Sequence, residues 1–232
     1  DDPIQIPHSF SSTEDIEISG LIAATLSWGN RKTIIAKSND LMDRMDRSPA
    51  EFIHGASESD LETFNGFVHR TFQSEDIKGL ARGLNMLYQE YESLGAFFKA
   101  HVRDGDAHLG HTFQAFKGYL LSNGLPLRAG KHFGDPSKGS ACKRLIMFTR
   151  WMVRSNKEGS DFGLWDIDPA LLSLPLDVHS GRVARSLNLL KRKQNDWKAV
   201  EELDLSIRKI APNDPARLDY ALFGLGVYEG WK

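Results

Sequence analysis

Cysteine is nearly missing from this chain of 232 residues, with Cys142 alone. One thiol excludes an internal disulfide framework and a cysteine-held zinc or iron–sulfur centre, and it fits a reducing cytoplasm. Long apolar runs are missing as well. Nothing approaches the run of about 18 apolar residues that marks a membrane-crossing helix, so no membrane partner is expected. The opening residues DDPIQIPHSF carry neither a basic n-region nor an apolar h-region, and no secretory signal is visible in them. Hairpin turn signals between alternating segments, internal repeats and low-complexity tracts are all lacking. The histidines form no HxxxH helical pair beside a carboxylate. His108 and His111, three apart, come nearest to a metal pair, and neither a metal nor another cofactor is expected.

A surplus of one charge is also lacking. The formal net charge is −2, which argues against a uniformly basic nucleic-acid surface. The charges are unevenly spread, however. Leu127 to Arg154 holds seven Lys/Arg against one acid, Asp135, and Arg182 to Lys198 holds six against Asp196. Acids gather in SSTEDIEIS and HGASESDLETF. A near-neutral chain built this way can still present one positive face.

What is present is helical periodicity. STEDIEISGLIAATLSW opens on Ser12 or Thr13 as a cap, with acids in the first turn, and continues as a mostly apolar helix. From Thr33 to Met45, apolar Ile34, Ile35, Leu41, Met42 and Met45 share a face. SPAEFIHGA and SESDLETF read as two short capped helices. EDIKGLARGLNMLYQEY spaces Ile77, Leu80, Ala81, Leu84, Leu87 and Tyr88 as one amphipathic stripe. Further helices are expected over about Ala107–Leu121, Ala141–Arg154 and Val178–Leu190, then in DWKAVEELDLSIRKI and DPARLDYALFGLGVYEG. Between them lies SNGLPLRAGKHFGDPSKGS, rich in glycine, proline and basic residues. The fold class expected is all-α, with roughly ten helices.

Asp177, in LPLDVHSGRVARSLNLL, is the residue with chemical promise. It directly precedes a helix with no other good cap, where an aspartate accepts from orphan backbone N–H groups and contributes about 1 kcal/mol. The same donors and the helix dipole favour its ionised form. A fixed negative charge is also what a reaction with developing positive charge requires. Cap and catalytic acid are compatible readings, and both stay open from the residues alone.

LDVHSGRVARSLNLL resembles the segment after the hairpin in the helix-hairpin-helix superfamily of DNA glycosylases, the endonuclease III relatives. In that family a catalytic Asp is followed by His at two positions on and Arg-Val at five and six. Here these are Asp177, His179, Arg182 and Val183. Nine positions after the Asp, where the family often has Arg, this chain has Ser186, with Arg185 one place earlier. IEISGLIAATLSWGNRKTIIAKSNDLMDRM is similar to the family's first long helix, its Gln-containing turn and the next helix. SPAEFIHGASESDLETF with EDIKGLARGL, and NDWKAVEELDLSIRKIAPNDPARLDYALFGLG, resemble its short capped helices and its closing helices. As a whole the chain most resembles an uncharacterised bacterial family carrying a domain of unknown function, which sits near these glycosylases.

The resemblance implies a two-lobed helical glycosylase-like fold, with a helix-hairpin-helix element and a cleft between the lobes. One lobe would span 33–132 and the other 1–32 plus 133–232, within a single unit over 1–232. It implies DNA as partner, duplex with a flipped base, and cleavage of the bond between a damaged or modified base and its sugar. Bifunctional members add a lysine that forms a Schiff base and permits strand cleavage. Lys143, Phe148 and Arg150 match the Lys-x-x-x-x-Phe-x-Arg pattern of an archaeal 8-oxoguanine glycosylase/lyase group. Lys143 is therefore the nucleophile candidate, the bland alternative being a solvated helix-face lysine. The usual Leu-Pro-Gly-Val-Gly before the lysine is GDPSKGSACK here, and 34 residues separate Lys143 from Asp177 against a family spacing of about twenty. The excess falls in SNKEGSDFGLWDID, which reads as an insertion.

Gly134, Lys138, Gly139, His179, Arg182 and Arg185 are the expected phosphate contacts. Trp28, Asn30 and Arg31 occupy the family's Gln-containing turn, where they would meet DNA or the flipped base; Trp28 serves equally well as core. His69 and Arg70 interrupt the apolar run FVHRTF and join Trp28 as possible pocket residues, although a satisfied buried His is the commoner outcome. Trp151 and Trp165 read as packing or as a base-stacking wall. The function expected is a DNA glycosylase, in its fuller form a glycosylase and AP lyase. The rival is a non-catalytic nucleic-acid-binding protein on the same fold, and a helical interaction module is a third reading.

Overall fold

A computed structural model of the chain describes residues 2–155, 157, 159–227 and 229. Among them, ten α-helices carry the architecture: α1 Thr13–Leu26, α2 Arg31–Arg44, α3 Pro49–Gly55, α4 Ser74–Tyr91, α5 Leu94–Ala100, α6 Gly110–Ser122, α7 Lys143–Val153, α8 Val178–Ser186, α9 Trp197–Ile207 and α10 Asp219–Val227. Short 3-10 turns link several of them. No helix of the described residues is long and apolar enough to cross a membrane. The chain divides into two units, Asp1–Ala100 with Ala115–Phe133, and His101–Gln114 with Gly134–Lys232. The first 32 residues fall in the first unit.

In the first unit α1 is the central element. Its sequence is apolar on nearly every side, and everything from Ile16 to Leu26 is buried. Ser12 caps it by accepting from Asp15 N at 3.1 Å. Its one buried acid, Glu17, accepts from the Tyr88 hydroxyl at 2.8 Å and from the Leu94 and Gly95 N–H groups at 3.1 and 2.9 Å. That carboxylate joins α1 to α4 and to the start of α5. α2 and α3 pack on α1, and α4 packs on α3 and α5. Phe97, Phe98, Phe116, Tyr119 and Phe133 complete the core with edge-to-face or tilted rings.

The all-helical expectation needs one correction. Val68–His69 and Phe72–Gln73 form an antiparallel two-stranded hairpin over FVHRTF and the glutamine that follows it. Its turn contains no glycine; Arg70 takes the left-handed conformation instead, at φ +55°. Residues other than glycine rarely adopt that region, so the usual hairpin dipeptides were no guide. SESDLETF likewise yields only a 3-10 turn at Asp60–Phe64.

In the second unit, α8 and α10 pack together. α7 buries Leu145, Ile146, Phe148, Trp151, Met152 and Val153. Residues 159–168 fold back on the end of α7: Phe162 N donates to Trp151 O at 2.7 Å, and Leu164 N and Trp165 N donate to Met152 O at 2.7 and 3.0 Å. They thus satisfy carbonyls that the end of α7 leaves open. Trp165 packs edge-on against Phe148, and Trp151 is 1% exposed, so both tryptophans are core. α8 is shorter than the expected Val178–Leu190, because Asn188 turns left-handed at φ +58°.

Candidate active site

Lys143 and Asp177 meet in the second unit. The loop before α7 brings Lys143 into place. Asp135 caps a short turn by accepting from Ser137 N at 3.1 Å, and Gly139 closes that turn at φ +80°. Cys142 is left-handed at φ +50°, so α7 starts at Lys143 rather than at Ala141. Asp177 arrives along an extended stretch, Leu172 to Leu176, whose side chains are buried. That stretch has no strand neighbour among the described residues, and side chains collect carbonyls along and just before it. Arg208 donates to Ala170 O and Leu172 O at 3.1 and 3.0 Å, and Ser180 Oγ donates to Pro175 O at 3.0 Å.

Asp177 is the N-cap of α8. Its Oδ1 accepts from the N–H groups of His179 and Ser180 at 2.8 and 2.9 Å, and Ser180 Oγ accepts from Asp177 N at 2.9 Å in return. Its Oδ2 accepts from Lys143 Nζ at 2.8 Å. The Asp177 side chain is 16% exposed and that of Lys143 40%. Burial pushes the carboxyl upward, but the Lys143 charge and hydrogen bond and the Ser180 and His179 N–H donors outweigh it. Asp177 therefore titrates below the usual carboxylate range. One oxygen serves the helix and the other faces the lysine.

A buried charge cluster lies on the same face, two and three turns beyond Lys143, at Arg150 of α7 and at its C-cap Arg154. Arg150, 5% exposed, donates to Asp219, to Asp161 at 3.2 Å and to the Tyr220 hydroxyl at 2.9 Å. Arg154 donates to Asp161 at 2.7 Å and to Asp214 at 3.0 Å. Asp161, fully buried, is thus shared by two arginines and fixes the insertion to α7. Burial holds the Asp219 carboxyl above its usual range despite the Arg150 guanidinium beside it. The charges of Lys143 and Asp177 also act on it, in opposite directions.

The expected phosphate contacts fall into different surroundings. Lys138 and Arg182 are exposed, and so is His179, whose ring stands edge-on to Phe223. Gly139 is exposed, and its carbonyl accepts from Trp197 N at 3.1 Å. Gly134 is packed, for a Cβ there would lie 2.7 Å from Cys142 Sγ and 2.9 Å from Cys142 Cα. Arg185 is engaged within the chain, donating to Arg192 O, Lys193 O and Asn195 Oδ1 at 2.8, 3.0 and 2.6 Å.

In the first unit, Trp28, His69 and Arg70 lie together. The Arg70 guanidinium sits over the Trp28 ring at 4.7 Å, and the His69 ring stands edge-on to it at 6.1 Å. Gly29, at φ +111°, makes room: a Cβ there would be 2.5 Å from Arg70 Nη1. His69 is 2% exposed; burial holds its imidazole below the usual range, with the Trp28 and Leu26 backbone opposing. His132 also packs on Trp28, at 5.7 Å. Asn30 caps α2 by accepting from Thr33 N at 3.3 Å, and Arg31 is exposed at its first position.

Sequence reasoning passed over Asn195, Asp161 and Asp219. Arg150 and Arg154 follow Lys143 at helical spacing on one face, a visible signal that buried acids must lie opposite. Asn195 gave no signal, since it sits in a polar loop.

No curated protein and no solved structure matches the chain. The family model described as "Protein of unknown function (DUF2400)" matches residues 2–228, and the chain belongs to that family.

Proposed function

We propose that this protein is a DNA glycosylase of the helix-hairpin-helix kind with AP-lyase activity, acting on a damaged or modified base. One observation carries the reading: a lysine and a helix-capping aspartate, 34 residues apart in sequence, meet at 2.8 Å. The likeness of LDVHSGRVARSLNLL to the catalytic segment of those enzymes supports the same assignment.

In the reaction, the bond from C1′ of a flipped nucleotide to its base breaks, and the electron pair leaves with the base. Positive charge builds on the sugar beside Asp177, whose ionised carboxylate stabilises it. The donors that keep Asp177 ionised also make it a weak base, so its part is electrostatic. The Lys143 ammonium passes a proton to the departing base. Its amine then adds to C1′, and the sugar ring opens to a Schiff base on Nζ. DNA contacts fall to exposed Lys138, Arg182 and His179. Arg185, already engaged by three oxygens of the chain, serves the site from within.

Borohydride reduces such a Schiff base to a stable amine. Incubation with duplex DNA carrying an abasic site, with borohydride present, yields a covalent adduct with the wild-type protein and none with Lys143→Ala. Absence of an adduct, together with no base release across a panel of lesions, overturns the reading. The second reading, a non-catalytic nucleic-acid binder, draws on the altered hairpin GDPSKGSACK and the net charge of −2. It predicts salt-dependent DNA binding that survives Asp177→Asn, without chemistry.

A further inference from the structure

Asp177 stands at a junction with little regular backbone support, since the extended stretch before it pairs with no strand among the described residues. Its carbonyl accepts from Gly181 N at 3.0 Å, within α8, and from Asn195 Nδ2 at 2.8 Å, from the loop before α9. Asn195 is exposed, yet both ends of its amide are engaged. Its oxygen takes the Arg185 Nη2 donor at 2.6 Å. Arg185 in turn holds the carbonyls of Arg192 and Lys193, so it pins the loop from which Asn195 reaches. Gly181 lies beneath this bridge. A Cβ there would stand 2.9 Å from Arg185 Nη1 and 3.0 Å from Asn195 Oδ1. Glycine weakens the interior of a helix of nine residues, and here it leaves room for two side chains to cross.

We infer that Asn195 is a positioning residue for Asp177, oriented by Arg185 across the space that Gly181 keeps open. The inference rests on the glycosylase-type reading of the Lys143–Asp177 pair. A carboxylate that stabilises a sugar cation must sit within a fraction of an ångström of its place, and Asn195 fixes the backbone that carries it. It touches neither Lys143 nor the bond that breaks.

Three variants test this. Asn195→Ala removes the donor to Asp177. Asn195→Asp keeps an acceptor for Arg185 but cannot donate to the Asp177 carbonyl. Gly181→Ala pushes the bridge aside while giving α8 a better helix former, so its Tm equals or exceeds that of wild type. Each variant lowers the single-turnover rate of base release, on a lesion that the wild-type protein cleaves, about tenfold to a hundredfold, with DNA affinity unchanged. A role confined to stability instead makes rate follow Tm, and Gly181→Ala then keeps the full rate.

A second readout needs no activity: titration of the Asp177 side-chain carboxyl by NMR. That carboxyl is faced by Lys143 from α7, by the His179 and Ser180 N–H groups of α8 and by the charge of Asp219 from α10. None of the substitutions removes these groups, yet in Asn195→Ala and Gly181→Ala, which add no charge, the carboxyl titrates closer to an ordinary one. Active variants with an unshifted Asp177 overturn the inference. A shifted Asp177 in a wild-type protein that forms no adduct and releases no base leaves the positioning role standing and removes the glycosylase reading.

Discussion

Replacing Asp177 by asparagine separates the two tasks of that side chain. Asparagine caps helices about as well as aspartate, and its oxygen can take the same His179 and Ser180 donors, now at 2.8 and 2.9 Å. What disappears is the negative charge 2.8 Å from Lys143 Nζ. With the lysine side chain 40% exposed, water already screens the pair, and its loss costs about 0.5–1 kcal/mol. In a chain of this size each kcal/mol lowers Tm by about 2–4 °C, so the expected fall is small. Asp177→Ala also removes the cap and costs about 1 kcal/mol more. Catalysis responds on another scale: removing a fixed charge beside a developing cation slows the chemical step about a hundredfold or more. Thermal melts, and single-turnover base release from a lesion that the wild-type protein cleaves, run on both variants, measure the two effects side by side. A variant Asp177→Asn that releases the base at the wild-type rate refutes the electrostatic role. One that melts as far below wild type as Asp177→Ala refutes the argument that the cap survives.

Stability against pH should carry the mark of the same carboxyl. Because Asp177 titrates below its unfolded value, its contribution is complete above the ordinary carboxylate range and fades as pH falls through about 4 and lower; urea titrations of Asp177→Asn should lack that part of the acid limb. Arg150→Met strands Asp219 without its cation, leaves Asp161 to Arg154 alone and should cost about 3–5 kcal/mol in urea unfolding, whereas Arg150→Lys should cost less. Gly29→Ala places a side chain at φ +111° against Arg70, costs about 1–3 kcal/mol and moves Arg70 off the indole, which Trp28 fluorescence reports.

The helices were legible because their signals are local. Ser12, Asn30 and Asp177 cap the helices that follow them, and the stripe from Ile77 to Tyr88 is the buried face of α4. The hairpin at 68–73 was not, because its turn rests on a left-handed arginine held over an indole from another segment. The site divides the same way. Asp177 announces itself by its place before a helix, whereas its contact with Lys143 depends on how the insertion folds back onto α7. That folding turns on Asp161, an ordinary acid in a polar loop until two arginines close on it. Arg185, an expected phosphate contact one place before the position where the family often has Arg, binds carbonyls of its own chain, which its spacing gave no sign of.

The most direct test of the account is borohydride trapping of the wild-type protein and Lys143→Ala on abasic duplex DNA. The account predicts a covalent adduct that maps to Lys143 and vanishes in the variant. An equal adduct in both proteins, or none in either, contradicts it.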